Sequence, residues 1–146
     1  MDKIVQGITL TPLRIIENPL GNIYHSMKKS DAGYEGFGES YFSFIKPGAI
    51  KGWKKHLKMT LNLIVPVGSV KFVIYDDRNP GSSSPAFFEI ILSPDNYQRL
   101  TIQPGLWMAF QGIGPTLNLI QNIANIEHNP DEALRCDIDQ IAYSWK

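Results

Sequence analysis

The sequence predicts an all-β chain, a sandwich or a barrel, on three observations. Its apolar residues recur with period two or in short continuous runs. β-Branched and aromatic residues dominate those runs. Turn-forming residues interrupt them about every 8 to 12 positions, the spacing of short antiparallel strands.

Taken in order, the first aromatic run, "SYFSFI" (Ser40 to Ile45), follows a glycine-rich loop, "AGYEGFGE". "LNLIVPV" and "VKFVIYD" flank Gly68-Ser69. Pro66 lies inside the first of these and cannot donate to a ladder, so its strand is expected at an edge or bulged. "AFFEIIL" (Ala86 to Leu92) precedes the turn signal "SPDN", where one helical turn is expected. "QRLTIQ" stops at Pro104-Gly105, "LWMAFQ" near Gly112, and "TLNLIQNI" follows Pro115. "NPDEALR" (Asn129 to Arg135) has a capping asparagine, a proline at a first helical position and acids in the first turn, which predicts a short helix. "RNPGSSSP" (Arg78 to Pro85) reads as a mobile surface loop too short to divide domains, so residues 1–146 are expected to form one domain.

Composition excludes several classes. Fourteen basic and fourteen acidic side chains cancel, which argues against binding nucleic acid or an anionic membrane through the overall field. A single cysteine, Cys136, excludes a disulfide framework and suits a reducing cytoplasm. No run approaches the roughly 20 apolar residues that span a bilayer, and the N-terminus lacks a signal-peptide pattern. The glycines of "AGYEGFGE" lack the strand before and helix after that a nucleotide-binding loop requires. His25, His56 and His128 are far apart and form no His-x-His, so no metal site is expected.

The basic stretch "IKGWKKHLK" carries the chemistry. Histidine, with an unperturbed pKa of about 6.5, can accept a proton at neutral pH. Neighbouring lysines favour its neutral, basic form. Strand alternation puts Lys54, His56 and Lys58 on one face and Lys55 and Leu57 on the other. Lys51, Lys54 and Lys58 read either as phosphate ligands or as a solubilising rim, and a partly buried lysine can itself serve as a base. Trp53, Trp107 and Tyr41 are candidates for an aromatic wall against a sugar or base, with core packing as the alternative. Glu39, Ser43 and Asn62 lie among apolar neighbours and are candidates for a polar pocket lining. Asp137 and Asp139 could orient a histidine, Asp76 and Arg78 read as a strand-capping ion pair, and Cys136 has no base beside it.

Three segments carry a family resemblance: "IKGW…H…LNLIVPVGSVKFVIYDDR", "LSPDNYQRLTIQPGLWMAF" and "HNPDEALRCDIDQIAYSW". Across residues 20–145 the chain resembles the dTDP-4-dehydrorhamnose 3,5-epimerase family. The resemblance implies a cupin-type jelly roll, usually a homodimer, in deoxysugar or surface-polysaccharide biosynthesis. It implies proton removal next to the 4-keto group of a nucleotide-linked sugar and return through an enolate, with no cofactor. Lys51-Gly52 stands where that family has an arginine-glycine pair, and Lys54 stands at its catalytic histidine, two places before His56. Met108 replaces a second histidine, the family's tyrosine acid falls near Gln121 or Asn122, and an early acidic pattern reads Asn18-Pro19-Leu20-Gly21. His56 is then the expected base, with Lys51 and Lys54 on phosphate or enolate and Trp53 and Trp107 framing the sugar. Two other readings stay open: a non-catalytic sugar- or small-ligand-binding cupin, and a cupin enzyme acting on a small acid.

Overall fold

The computed structural model describes residues 5–79 and 87–145. Most of the expected loop at 78–85, and Ala86, lie outside the described residues. Among the described residues twelve strands follow in chain order: β1 (Ile8–Pro12), β2 (Ile15–Ile16), β3 (Ile23–Tyr24), β4 (Glu39–Phe44), β5 (Ile50–His56), β6 (Leu61–Val67), β7 (Val70–Tyr75), β8 (Phe87–Leu92), β9 (Gln98–Ile102), β10 (Trp107–Gly112), β11 (Leu119–Ala124) and β12 (Ala133–Arg135). One five-stranded sheet has the order β1-β9-β6-β11-β4 and the other β12-β5-β10-β7-β8, all pairs antiparallel. From β4 to β12 the chain changes sheet at every step except the β7–β8 hairpin. This is the expected all-β, cupin-type jelly roll.

Alternation along the strands builds the core between the sheets. Leu61, Leu63 and Val65 of β6, with Leu100 and Ile102 of β9, meet Val70, Phe72 and Ile74 of β7. β6 is nonetheless buried on both faces, because the β2–β3 ribbon covers the back of its sheet: Ile64, Tyr97 and Ile123 pack under Ile15, Tyr24 and Met27. The back of the other sheet is covered by the C-terminal segment, where Ile141, Tyr143 and Trp145 pack with Trp53, Val73 and Trp107. That coverage explains why so many runs are continuous rather than alternating.

Pro66 sits in a bulge, not at an edge. Two residues of β6, Val65 and Pro66, oppose Ile120 alone, since Leu119 pairs with Val67 and Gln121 with Ile64. The pairing of β6 with β9 stops at Leu63, so no ladder bond is asked of the proline. The expected helix over 129–135 is cut short. Asn129 does cap, accepting from the Asp131 amide at 3.0 Å, but only Pro130–Glu132 form a 3-10 turn. Ala133–Arg135 instead add β12 to the edge beside β5, and the sheet's hydrogen bonds override a weak helical signal. "SPDN" is likewise a β-turn, closed by the Ser93–Asn96 bridge.

Candidate active site

A cavity of about 450 Å³ opens between the two sheets. Leu61, Leu63, Phe72 and Ile120 form its apolar lining. Tyr41 and Ser43 of β4 and Asn122 of β11 supply polar groups from one sheet, and Lys51, Lys54 and His56 of β5 with Arg135 of β12 supply them from the other. Apolar walls with a few convergent polar groups are what a small-molecule site requires.

His56 is almost fully buried, and its ring is anchored from behind. Its Nδ1 lies 2.5 Å from Glu132 Oε1. Glu132 is itself 5% exposed, and its other oxygen accepts the amides of Leu57, Lys58 and Met59 at 3.1, 3.0 and 3.0 Å. The strand pairing creates this contact: Ala133 lies opposite His56, so the turn just before it delivers Glu132 to the ring. Burial pulls the imidazole below its ordinary 6.5; the hydrogen bond and charge of Glu132 oppose this, and Lys54 and Arg135 reinforce it. Burial works to raise the Glu132 carboxyl, but His56 and the amides of Lys58 and Met59 outweigh it and hold the group below its ordinary 4.5. The result is a neutral imidazole whose Nδ1–H donates to a carboxylate, leaving Nε2 to take a proton. The carboxylate then stabilises the imidazolium that forms.

Three cations converge on the same cavity. Lys54 lies opposite Arg135 in the β5–β12 register, and burial followed by Arg135 lowers its ammonium pKa, against the pull of Glu132 and Glu39. Lys51 Nζ donates to the Phe44 carbonyl at 2.6 Å, linking the two sheets at the cavity. Between the two lysines, Gly52 and Trp53 bulge opposite Ala109 alone. Gly52 has φ of +139°, and a Cβ there would lie 2.5 Å from Ala109 Cβ and 2.7 Å from its Cα. Only glycine fits, and the bulge lets Lys51 and Lys54 both reach the cavity despite their odd spacing.

The structure therefore brings Lys51, Lys54 and His56 together at the cavity, with the expected Tyr41 and Ser43 on its other wall, while Trp107, Asn62, Glu39 and Lys58 are not among its lining residues. The Trp53 side chain is buried on the back of its sheet, tilted against Trp145, with Nε1 donating to the Ile138 carbonyl at 3.2 Å. Trp107 is on that same back, donating to Asp77 at 3.0 Å beneath the Lys55 ammonium. Trp107 is not among the residues that line the cavity; Trp53 is, although its ring packs in the apolar cluster under the C-terminal segment. Asn62 points behind the other sheet, donating to Gly33 O at 3.0 Å and accepting from Thr101 at 2.6 Å. Glu39 accepts the His128 amide at 2.8 Å, outside the cavity. Lys58 lies past the end of β5, exposed, beyond the reach of strand alternation.

The carboxylate that orients the histidine is Glu132, not Asp137 or Asp139. It stands 76 residues from His56 in sequence and read only as an acid of a helical first turn. Arg135 was equally hidden in that segment. Asp76 does pair with Arg78, at 2.8 Å, and Asp77 holds Lys55 at 2.9 Å. Cys136 lines the cavity, but burial and Asp137 push its thiol up, away from reactivity. Among the described residues no three His, Cys, Asp or Glu stand together as a metal site, and no helix is long and apolar enough to cross a membrane.

A two-sheet jelly roll with a carboxylate-held histidine and clustered cations around one cavity defines a cupin-type fold with a candidate small-molecule site. The chain belongs to the dTDP-sugar isomerase and epimerase family and is an enzyme of that family. Its structure matches a dTDP sugar isomerase of Desulfovibrio desulfuricans G20 with a TM-score of 0.89 and 36% identity, over 97% of this chain and 92% of that one. It is 27% identical over 111 residues to the probable low-salt glycan biosynthesis epimerase Agl13 of Haloferax volcanii, 73% of this chain and 71% of that protein. It is 23% identical over 146 residues to the spore coat polysaccharide biosynthesis protein SpsL of Bacillus subtilis, 97% of each. No family model matches the chain.

Proposed function

We propose that this cavity binds a dTDP-linked 4-keto-deoxysugar and catalyses its epimerisation or isomerisation through an enolate, in deoxysugar or surface-polysaccharide biosynthesis. The observation that carries this reading is the His56–Glu132 pair at a cavity lined by Lys51, Lys54 and Arg135. His56 Nε2 removes the proton from the carbon next to the keto group. The electron pair of that C–H bond moves into the ring, and negative charge develops on the keto oxygen. Lys54 and Arg135 stabilise that charge, and Lys51 at the cavity meets a phosphate of the nucleotide. Glu132 holds the imidazolium until the proton is returned or exchanged with water. We further propose a cytoplasmic homodimer. β4 is the outermost strand of its sheet, and Phe42 and Phe44 project from its outer face at 62% and 56% exposure.

Incubation with dTDP-4-keto-6-deoxyglucose in heavy water tests the chemistry. Deuterium should enter at a carbon flanking the keto group, and His56→Ala should abolish its entry. Absence of exchange at both carbons sinks the enolate reading, and tight binding without exchange would instead identify a ligand-binding relative. Light scattering across a dilution series tests the dimer, which a monomer at all concentrations refutes.

A further inference from the structure

We infer, on the substrate class proposed above, that Asn122 selects among sugars of that class: its Oδ1 accepts the hydroxyl on the carbon flanking the keto group, so the site takes 4-keto sugars that carry a free 3-hydroxyl. Side chains alternate along β11. Gln121 and Ile123 face the back of the sheet, where Gln121 accepts from Ser26 at 2.7 Å and Ile123 packs under the β2–β3 ribbon. Ile120 and Asn122 face the other way and line the cavity. Asn122 is the single amide side chain in that lining among the described residues. It comes from the sheet opposite the one that carries Lys51, Lys54, His56 and Arg135.

The amide is buried and only half satisfied. Asn122 is 4% exposed. Its register partners are Tyr41 on β4 and Leu63 on β6. Nδ2 donates to the Tyr41 oxygen at 2.9 Å, and the Leu63 side chain has no donor to offer. Oδ1 has no partner among the described residues. A buried acceptor left unserved is costly, so a ligand that fills the cavity must either donate to Oδ1 or bind more weakly. Tyr41 and Ser43, the other polar groups of this wall, are less buried, so water can serve them and they discriminate less.

The donor that fits is a sugar hydroxyl. Every cation of the lining lies in the other sheet, so phosphate and developing enolate charge belong there, and the neutral wall meets the uncharged part of the sugar. A 4-keto-6-deoxyhexose linked through C1 has free hydroxyls at C2 and C3. Only C3 flanks the keto carbon, and a flanking carbon is what His56 must reach. A bond from the C3 hydroxyl to Oδ1 holds that carbon between Asn122 and His56. An amide neither gives nor takes a proton at neutral pH, so this bond is made before and during the reaction alike. Asn122 therefore acts on binding more than on the chemical step.

Calorimetry tests this with dTDP-4-keto-6-deoxyglucose and its 3-deoxy and 2-deoxy analogues, on the unmodified enzyme and on Asn122→Leu and Asn122→Asp. The 3-deoxy analogue should bind the unmodified enzyme about 10-fold or more weakly than the parent sugar, and the 2-deoxy analogue should not. In Asn122→Leu the parent should lose about that factor and the 3-deoxy analogue little, so the preference collapses to within about 3-fold. Asn122→Asp keeps an acceptor and should keep the preference. Equal binding of parent and 3-deoxy sugars to the unmodified enzyme overturns the inference without any variant. So does an equal loss of both in Asn122→Leu, which is what a merely structural side chain would produce. A preference lodged at the 2-hydroxyl overturns the assigned contact. Deuterium exchange on the same samples separates the two readings: a 3-hydroxyl preference without exchange sinks the enolate and leaves the role of Asn122 standing, whereas no binding of any of the sugars overturns both.

Discussion

Replacing Glu132 by glutamine exposes the logic of the site, because the protein dictates how the amide must sit. Three backbone amides, from Leu57, Lys58 and Met59, end on Oε2 and need an acceptor. The glutamine oxygen must take that place, which turns its NH2 toward His56 Nδ1. The ring then accepts at Nδ1 and carries its proton on Nε2, so the nitrogen that should receive the substrate proton is blocked. Deuterium exchange should fall by about 10²-fold or more. Stability should fall less. Bonds to a charged acceptor contribute roughly 1.5–3 kcal/mol and neutral ones 0.5–1.5, so three amide bonds lose about 1 kcal/mol each. Relief of the buried charge offsets part of this, leaving a loss of about 2 kcal/mol in urea unfolding. The residual activity should also titrate differently. Both influences by which Glu132 raises the His56 pKa are gone, while burial, Lys54 and Arg135 still lower it, so the acid limb of the pH–rate profile moves to lower pH. A variant that keeps exchange within about 3-fold of the unmodified enzyme, with an unmoved acid limb, refutes the role of Glu132 as tautomer holder.

Other outcomes follow from the same geometry. Lys54→Met removes a cation that lowers the His56 pKa, so its acid limb should move up, opposite to Glu132→Gln, with exchange about 10-fold or more slower. Gly52→Ala, forced to φ of +139° against Ala109, should lose at least about 2 kcal/mol in urea unfolding and misplace both flanking lysines. Acidification should destabilise the fold in two stages. His56 and Glu132 are both lowered in the folded state, so their contributions are complete above about 6.5 and 4.5 and decline as pH falls below each value. Unfolding midpoints that stay flat from pH 7 to about 4 contradict this. At alkaline pH the sign reverses. Burial, then Tyr24, pushes the Tyr97 phenol up to about 12 from 10.0, so its contribution is complete below about pH 10 and is lost from there to about 12. Tyr97→Phe, which forfeits the 2.6 Å bond to His25 O, should flatten that loss in pH-dependent denaturation.

What the amino-acid sequence determined by itself was whatever depends on neighbours along the chain. Period-two runs and turn residues specify strands, because side-chain direction alternates within each one. Pro66 announced an edge or a bulge because a missing amide is a local fact, and the tertiary pairing chose the bulge. The two-residue step from Lys54 to His56 put both on one face for the same reason. Chain-local rules could not say which strands become neighbours or which sheet faces acquire a cover. The C-terminal segment wraps the back of one sheet, and that packs the Trp53 and Trp107 rings into a second apolar cluster, the core alternative that the sequence left open. The β2–β3 ribbon covers the back of the other, where Asn62 is spent on Gly33 and Thr101. Edge pairing of β12 with β5 converted an expected helix into a strand and set Glu132 and Arg135 beside His56 and Lys54. Those contacts exist only after distant segments hydrogen-bond, so their free energy and their chemistry belong to the tertiary fold.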